Sequence, residues 1–97
     1  MIIDLSDAIW LEDVHLVSFE ELTVHCGLSA HELQQLVDLG ALPAQTEDAR
    51  FEAAMIDVLR RLNRLKQDFE LDLNAMCISL TLLRKIHRLE QQLKDPR

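Results

Sequence analysis

Ninety-seven residues, 48% hydrophobic and 4% aromatic, suit one small domain whose single core is built mainly from aliphatic side chains. No apolar run is long enough to span a bilayer, and the opening MIIDLSD carries acids where a secretory signal needs bases, so a cytoplasmic protein is expected. The net charge of −7 is uneven: residues 1–57 hold 12 acids against one base, Arg50, whereas residues 58–97 hold 5 acids and 9 bases, and so acidic a first half repels phosphate backbones and attracts basic protein surfaces.

The first predicted element is a short strand over about Trp10 to Val17, where the text is rich in β-branched and aromatic residues with partial alternation. The stretch SFEELTVHCGLSAHELQQLVDLG, Ser18 to Gly40, follows and organises the chain. Ser18 is followed three residues later by Glu21, and Ser29 by Glu32; each pair is a capping box, in which hydroxyl and carboxylate satisfy free amides at a helix start. Val17 with Leu22, and Leu28 with Leu33, supply the hydrophobic staples. Gly27 and Gly40, the only glycines, stand where the two helices should stop. Helices over about 19–26 and 30–39, joined by a tight turn, make a helix-turn-helix. Phe19, Leu22 and Cys26 line one face of the first; Leu33, Leu36 and Val37, with Leu39 near the end, line the second.

Residues 41–51, ALPAQTEDARF, break the helical pattern. Pro43 stops the preceding helix, Glu47 and Asp48 favour a turn, and Leu42 and Phe51 are core candidates. A small β-hairpin or wing fits this segment, and the strand near Trp10–Val17 can add to it. From Glu52 to about Gln67 the text is helical, with Met55, Leu59 and Leu62 on one stripe, widened by Val58 and Ile56. Asp72 is a plausible cap for the last helix, from Leu73 to Leu93 or Lys94. That helix has two apolar faces. Leu73, Met76, Cys77, Leu80 and Leu83 suit the core, whereas Leu82, Ile86, Leu89 and Leu93 are spaced four, three and four as a heptad seam. A seam running past the core calls for a partner helix, and a homodimer is favoured over packing on helix 52–67. The expected architecture is mainly α, with a winged helix-turn-helix core over 1–71 and a long C-terminal helix over 72–97, in one structural domain.

Chemistry for catalysis is not visible. There is no Gly-rich phosphate loop, no H-E-x-x-H and no nucleophile motif, and the acid pairs are sequence neighbours on helix or turn surfaces. His25, Cys26 and His31 form no metal-ligand spacing, so neither a metal nor a cofactor is expected. Cys26 and Cys77 lie far apart without C-x-x-C spacing; a free, buried, reduced pair is expected, with a disulfide the competing reading.

The order of strand, helix-turn-helix, wing, helix and long terminal helix is that of the MerR-type winged helix. More narrowly, HCGLSAHELQQLVDLGAL together with RRLNRLKQDFELDLNAMCISLTLLRKIHRLEQQL resembles the bacterial chaperone-modulator proteins of the CbpM type, over nearly the whole span from Ser18 to Leu93. The resemblance implies stoichiometric binding, without turnover, to the J-domain of a DnaJ-like co-chaperone of the CbpA type. It implies inhibition both of that partner's stimulation of DnaK and of its DNA binding.

The charges point the same way. J-domains present a basic helix to DnaK, and Glu20, Glu21, Glu32 and Asp38 are candidates to contact it, with Glu12 and Asp13 as weaker ones. Glu21 and Glu32 also have the competing task of completing caps. The alternative is a MerR-like DNA-binding regulator. It would need cations on the second helix, yet AHELQQLVDLG has no Lys or Arg and lacks the Arg and adjacent Tyr usual in DNA-binding members. A third reading, a plain dimerisation module, would use the seam alone.

Overall fold

The computed structural model describes residues 15–94. Its elements are β1 (Leu16–Val17), α1 (Phe19–Cys26), α2 (Ala30–Asp38), β2 (Phe51–Glu52), α3 (Met55–Phe69) and α4 (Leu73–Lys94). The predicted strand from Trp10 therefore lies outside the described residues except at its end, where Leu16 and Val17 pair.

Both capping boxes form. The Ser18 amide donates to the Glu21 carboxylate at 2.8 Å and the Glu21 amide to Ser18 Oγ at 3.1 Å. The Ser29 amide donates to Glu32 at 3.0 Å and the Glu32 amide to Ser29 Oγ at 3.1 Å. Each box satisfies donors that the first helical turn leaves free. All four staple residues, Val17, Leu22, Leu28 and Leu33, are buried, so the local cap signals and the tertiary core agree. Gly27 and Gly40 end α1 and α2 with φ of 88° and 80°, in the left-handed region. A Cβ on Gly27 would in addition lie 2.6 Å from Asn63 Nδ2, so this turn is also a close approach to α3.

The core collects the predicted stripes. Leu22 and Cys26 from α1, Leu33 and Leu36 from α2, Val58, Leu59 and Leu62 from α3, and Met76 and Leu80 from α4 are all buried. Leu42 and Phe51, the core candidates of the non-helical segment, are buried too, and the Phe51 ring meets Phe19 at a centroid distance of 6.4 Å. Leu39, grouped with the α2 core face by sequence, is instead 58% exposed. It lies one residue beyond α2, where the chain turns at Gly40 so that Ala41 and Leu42 enter the core. Both of their amides donate to the Leu36 carbonyl, at 2.9 and 3.2 Å.

The small antiparallel sheet pairs Leu16 with Glu52 and Val17 with Phe51. Its second strand is the end of the wing segment and its first comes from before α1. Within residues 41–50 the backbone turns without pairing as strands. The Gln45 amide donates to the Arg50 carbonyl at 2.6 Å, Arg50 returns its amide to Thr46 Oγ1 at 3.2 Å, and Ala49 adopts a φ of 58°. Helix α3 starts at Met55, three residues later than the periodicity placed it, because Glu52 is taken by the sheet. It ends at Phe69, and Glu70 turns the chain at a φ of 52°. Asp72 caps α4 as expected, accepting from the Ala75 amide at 2.9 Å.

Candidate protein-interaction surface

The helix-turn-helix turns its apolar stripes inward, so the remaining residues of α1 and α2 form its outer face. On α1 this leaves Glu20, Glu21, Val24 and His25 exposed; on α2 it leaves His31, Gln34 and Asp38. The four candidate acids divide into two kinds. Glu20 and Asp38 are exposed, and Asp38 accepts one hydrogen bond, from Gln34 Nε2 at 2.8 Å along its own helix. Glu21 is exposed but is engaged by Ser18, whose backbone amide holds its carboxyl below the usual glutamate range.

Glu32 is half-buried and is paired with Lys66 Nζ of α3 as well as with Ser29. The lysine hydrogen bond is the main reason its carboxyl lies below the ordinary value, with burial opposing. This pair ties the start of α2 to α3, so Glu32 acts inside the fold. A folded-state pKa below the unfolded one means that the stabilisation is complete above the unfolded value and is lost as pH falls through the folded value. Thermal melts from pH 7 down to pH 3 should therefore show an acid limb that shrinks in Glu32→Gln, and Lys66→Met should cost roughly 1 kcal/mol at pH 7.

Two exposed apolar residues join the acids. Val24 is 75% exposed one turn beyond Glu20, and Leu39 is 58% exposed next to Asp38. Sequence reasoning missed both as surface candidates. For Val24 the signal was available: it falls off the Phe19, Leu22, Cys26 stripe. The outer face thus offers free carboxylates beside apolar side chains, which suits a cationic, amphipathic protein surface better than a phosphate backbone.

Cations near this face are largely engaged within the fold. Arg60 donates from Nε to the His25 carbonyl at 2.9 Å, closing the end of α1, and its Nη1 lies 3.7 Å from Asp57. Lys66 holds Glu32. Arg50, the one base of the acidic half, lies 3.8 Å from Asp48 in the wing turn, and the Thr46 hydroxyl holds the Asp48 carboxyl below its usual range. Of the two cysteines expected to be free and buried, Cys26 is both, and burial pushes its thiol up; Cys77 is free but only half-buried. No described helix is long and apolar enough to cross a membrane.

The second candidate surface is the outer side of α4. Leu82, Ile86, Leu89 and Leu93 are 54%, 44%, 58% and 81% exposed, and Ile78, at 64%, extends the stripe by one turn. Successive residues turn by about 100°, which puts this stripe roughly opposite the core residues Met76 and Leu80. The seam therefore does not pack on α3.

A family model described as "MerR HTH family regulatory protein" matches residues 17–97. Among curated relatives, the chaperone modulatory protein CbpM of Citrobacter koseri is 36% identical over 75 residues, which is 74% of each chain. The proteins of that name from Salmonella arizonae and Salmonella paratyphi A are 31% and 29% identical over the same share of each chain. These are regulatory and modulatory proteins, a group without enzymatic turnover. The family-model match spans both capping boxes, the acidic outer face and the whole of α4, and the chain belongs to the CbpM family of chaperone modulatory proteins within the MerR helix-turn-helix group.

Proposed function

We propose that the protein is a cytoplasmic chaperone modulator that binds the J-domain of a CbpA-type, DnaJ-like co-chaperone through the outer face of its helix-turn-helix. In this reading it restrains both the partner's stimulation of DnaK and its DNA binding. The observation that carries the proposal is the face itself. Glu20 and Asp38 project from α1 and α2 beside Val24 and Leu39, and α2 has no cation to offer a phosphate. Glu21 contributes negative potential while serving its cap. Glu32 contributes chiefly by fixing the start of α2 against α3. Two copies of the chain associate through Leu82, Ile86, Leu89 and Leu93, giving a homodimer.

Charge reversal tests the face without touching the core. Glu20→Lys combined with Asp38→Lys should weaken calorimetric binding of the J-domain at least about tenfold and flatten its dependence on salt, since exposed charge pairs are screened. Unchanged affinity in a folded double variant would move the contact elsewhere on the molecule. The DNA-binding alternative predicts the opposite charge response: the same variant would bind duplex DNA more tightly, and sequence-selective binding by the unaltered protein would favour that reading.

A further inference from the structure

A second candidate site, lined mainly by cationic and polar side chains, lies along α4. Where the C-terminal half of α4 passes over the sheet and the start of α3, Glu52, Met55, Arg84, His87, Arg88 and Gln91 line an open cleft of about 230 Å³. Arg84, His87, Arg88 and Gln91 continue the core-facing side of α4 beyond the apolar core, and the heptad seam occupies the other side. The core stripe thus becomes a polar, largely basic stripe along one helix.

These side chains are arranged to receive carboxylates. Arg84 is held in place, donating from Nη1 to the Ala41 carbonyl at 3.1 Å. Glu90, the one acid of α4, is turned toward α3, where it lies 3.5 Å from Arg61 Nη1. Among the described residues no carboxylate lies within ion-pairing distance of Arg84 or Arg88, although Glu52 stands on the same cleft wall. Two guanidinium groups supply forked donors that match carboxylate oxygens, Gln91 can bond a peptide amide, and Met55 supplies an adaptable apolar floor. Glu52 and the −7 net charge disfavour a polyphosphate, which would bring several fixed charges into the same field. A peptide carries isolated carboxylates with apolar residues between them, so it brings fewer fixed charges into that field, meets the two guanidinium groups and fits the apolar floor.

We infer that this cleft is a docking site for an acidic peptide segment of a protein partner, engaged through Arg84 and Arg88. The molecule then presents an acidic face on the helix-turn-helix and a basic cleft along α4.

Fluorescence anisotropy with a labelled peptide of alternating Glu and Leu, at low salt, tests the site without reference to the J-domain. The Glu peptide should bind and its Gln counterpart should not. Arg88→Glu should weaken binding at least about tenfold, and Arg64→Glu, the same charge change at an exposed position of α3 outside the cleft, should leave it within about twofold. Equal binding of the Glu and Gln peptides, or an Arg88→Glu variant that retains full affinity, would overturn the assignment. Displacement of the peptide by a short DNA duplex at equal charge concentration would replace it with a nucleic-acid site. Since the probe is a plain peptide, a failure here leaves J-domain binding standing, and the converse holds.

Discussion

Leu36→Ala should lower the free energy of unfolding by about 2–5 kcal/mol, the range for removing a fully enclosed leucine side chain and leaving a cavity. Leu36 is 0% exposed in α2, facing the apolar stripes of its neighbours. Its carbonyl also anchors the turn that sends Ala41 and Leu42 back into the core. The backbone bonds survive the substitution, so the loss is one of packing. With total stabilities of roughly 5–15 kcal/mol for domains of ordinary size, a loss of this magnitude takes away much of the margin, and the melting temperature should fall by more than about 10 °C. Asp38→Ala, two residues away on the outer face, should change stability by no more than about 0.5 kcal/mol. Circular dichroism melts of the two variants separate the inner from the outer side of the same helix. Equal effects would mean that α2 is not packed as described.

The second large effect concerns assembly. Ile86→Asp combined with Leu89→Asp should convert the proposed homodimer into a folded monomer of 11.2 kDa. Both side chains are substantially exposed in the single chain, at 44% and 58%, so carboxylates there cost the monomer little. In a paired seam the same carboxylates would lose their water against apolar neighbours, at several kcal/mol each. Light scattering should give twice the chain mass for the unaltered protein and the chain mass for the variant, with unchanged helical content. An unaltered protein of 11.2 kDa would remove the need for the seam to pair at all.

What the sequence made legible was local. The two capping boxes and two glycines mark both ends of α1 and α2 within a few residues, because caps act over three or four positions. The stripes of α3 and α4 are legible because helical periodicity persists over several turns. The sheet was harder: two strands of two residues carry no alternation, and the partnership of Leu16 with Glu52 spans the whole helix-turn-helix. The site was only half legible. Sequence names Glu20, Glu21, Glu32 and Asp38 together as contact candidates and sets Glu21 and Glu32 apart only as cap residues, without showing that α3 also engages Glu32. The pair between Glu32 and Lys66 joins residues 34 apart in sequence, so nothing near either residue signals it. The bond from Arg84 to the Ala41 carbonyl spans 43 positions and is hidden for the same reason. The seam's spacing could be read in advance, but its exposure depends on which side of α4 the core takes.

Stoichiometric restraint of a J-domain, as proposed, is measured by the ATPase of DnaK stimulated by its CbpA-type co-chaperone as this protein is added. Stimulation should fall in proportion to added protein and level off near one chain per J-domain, as tight one-to-one capture requires. Full stimulation at about tenfold molar excess, with both proteins folded, would contradict the claim.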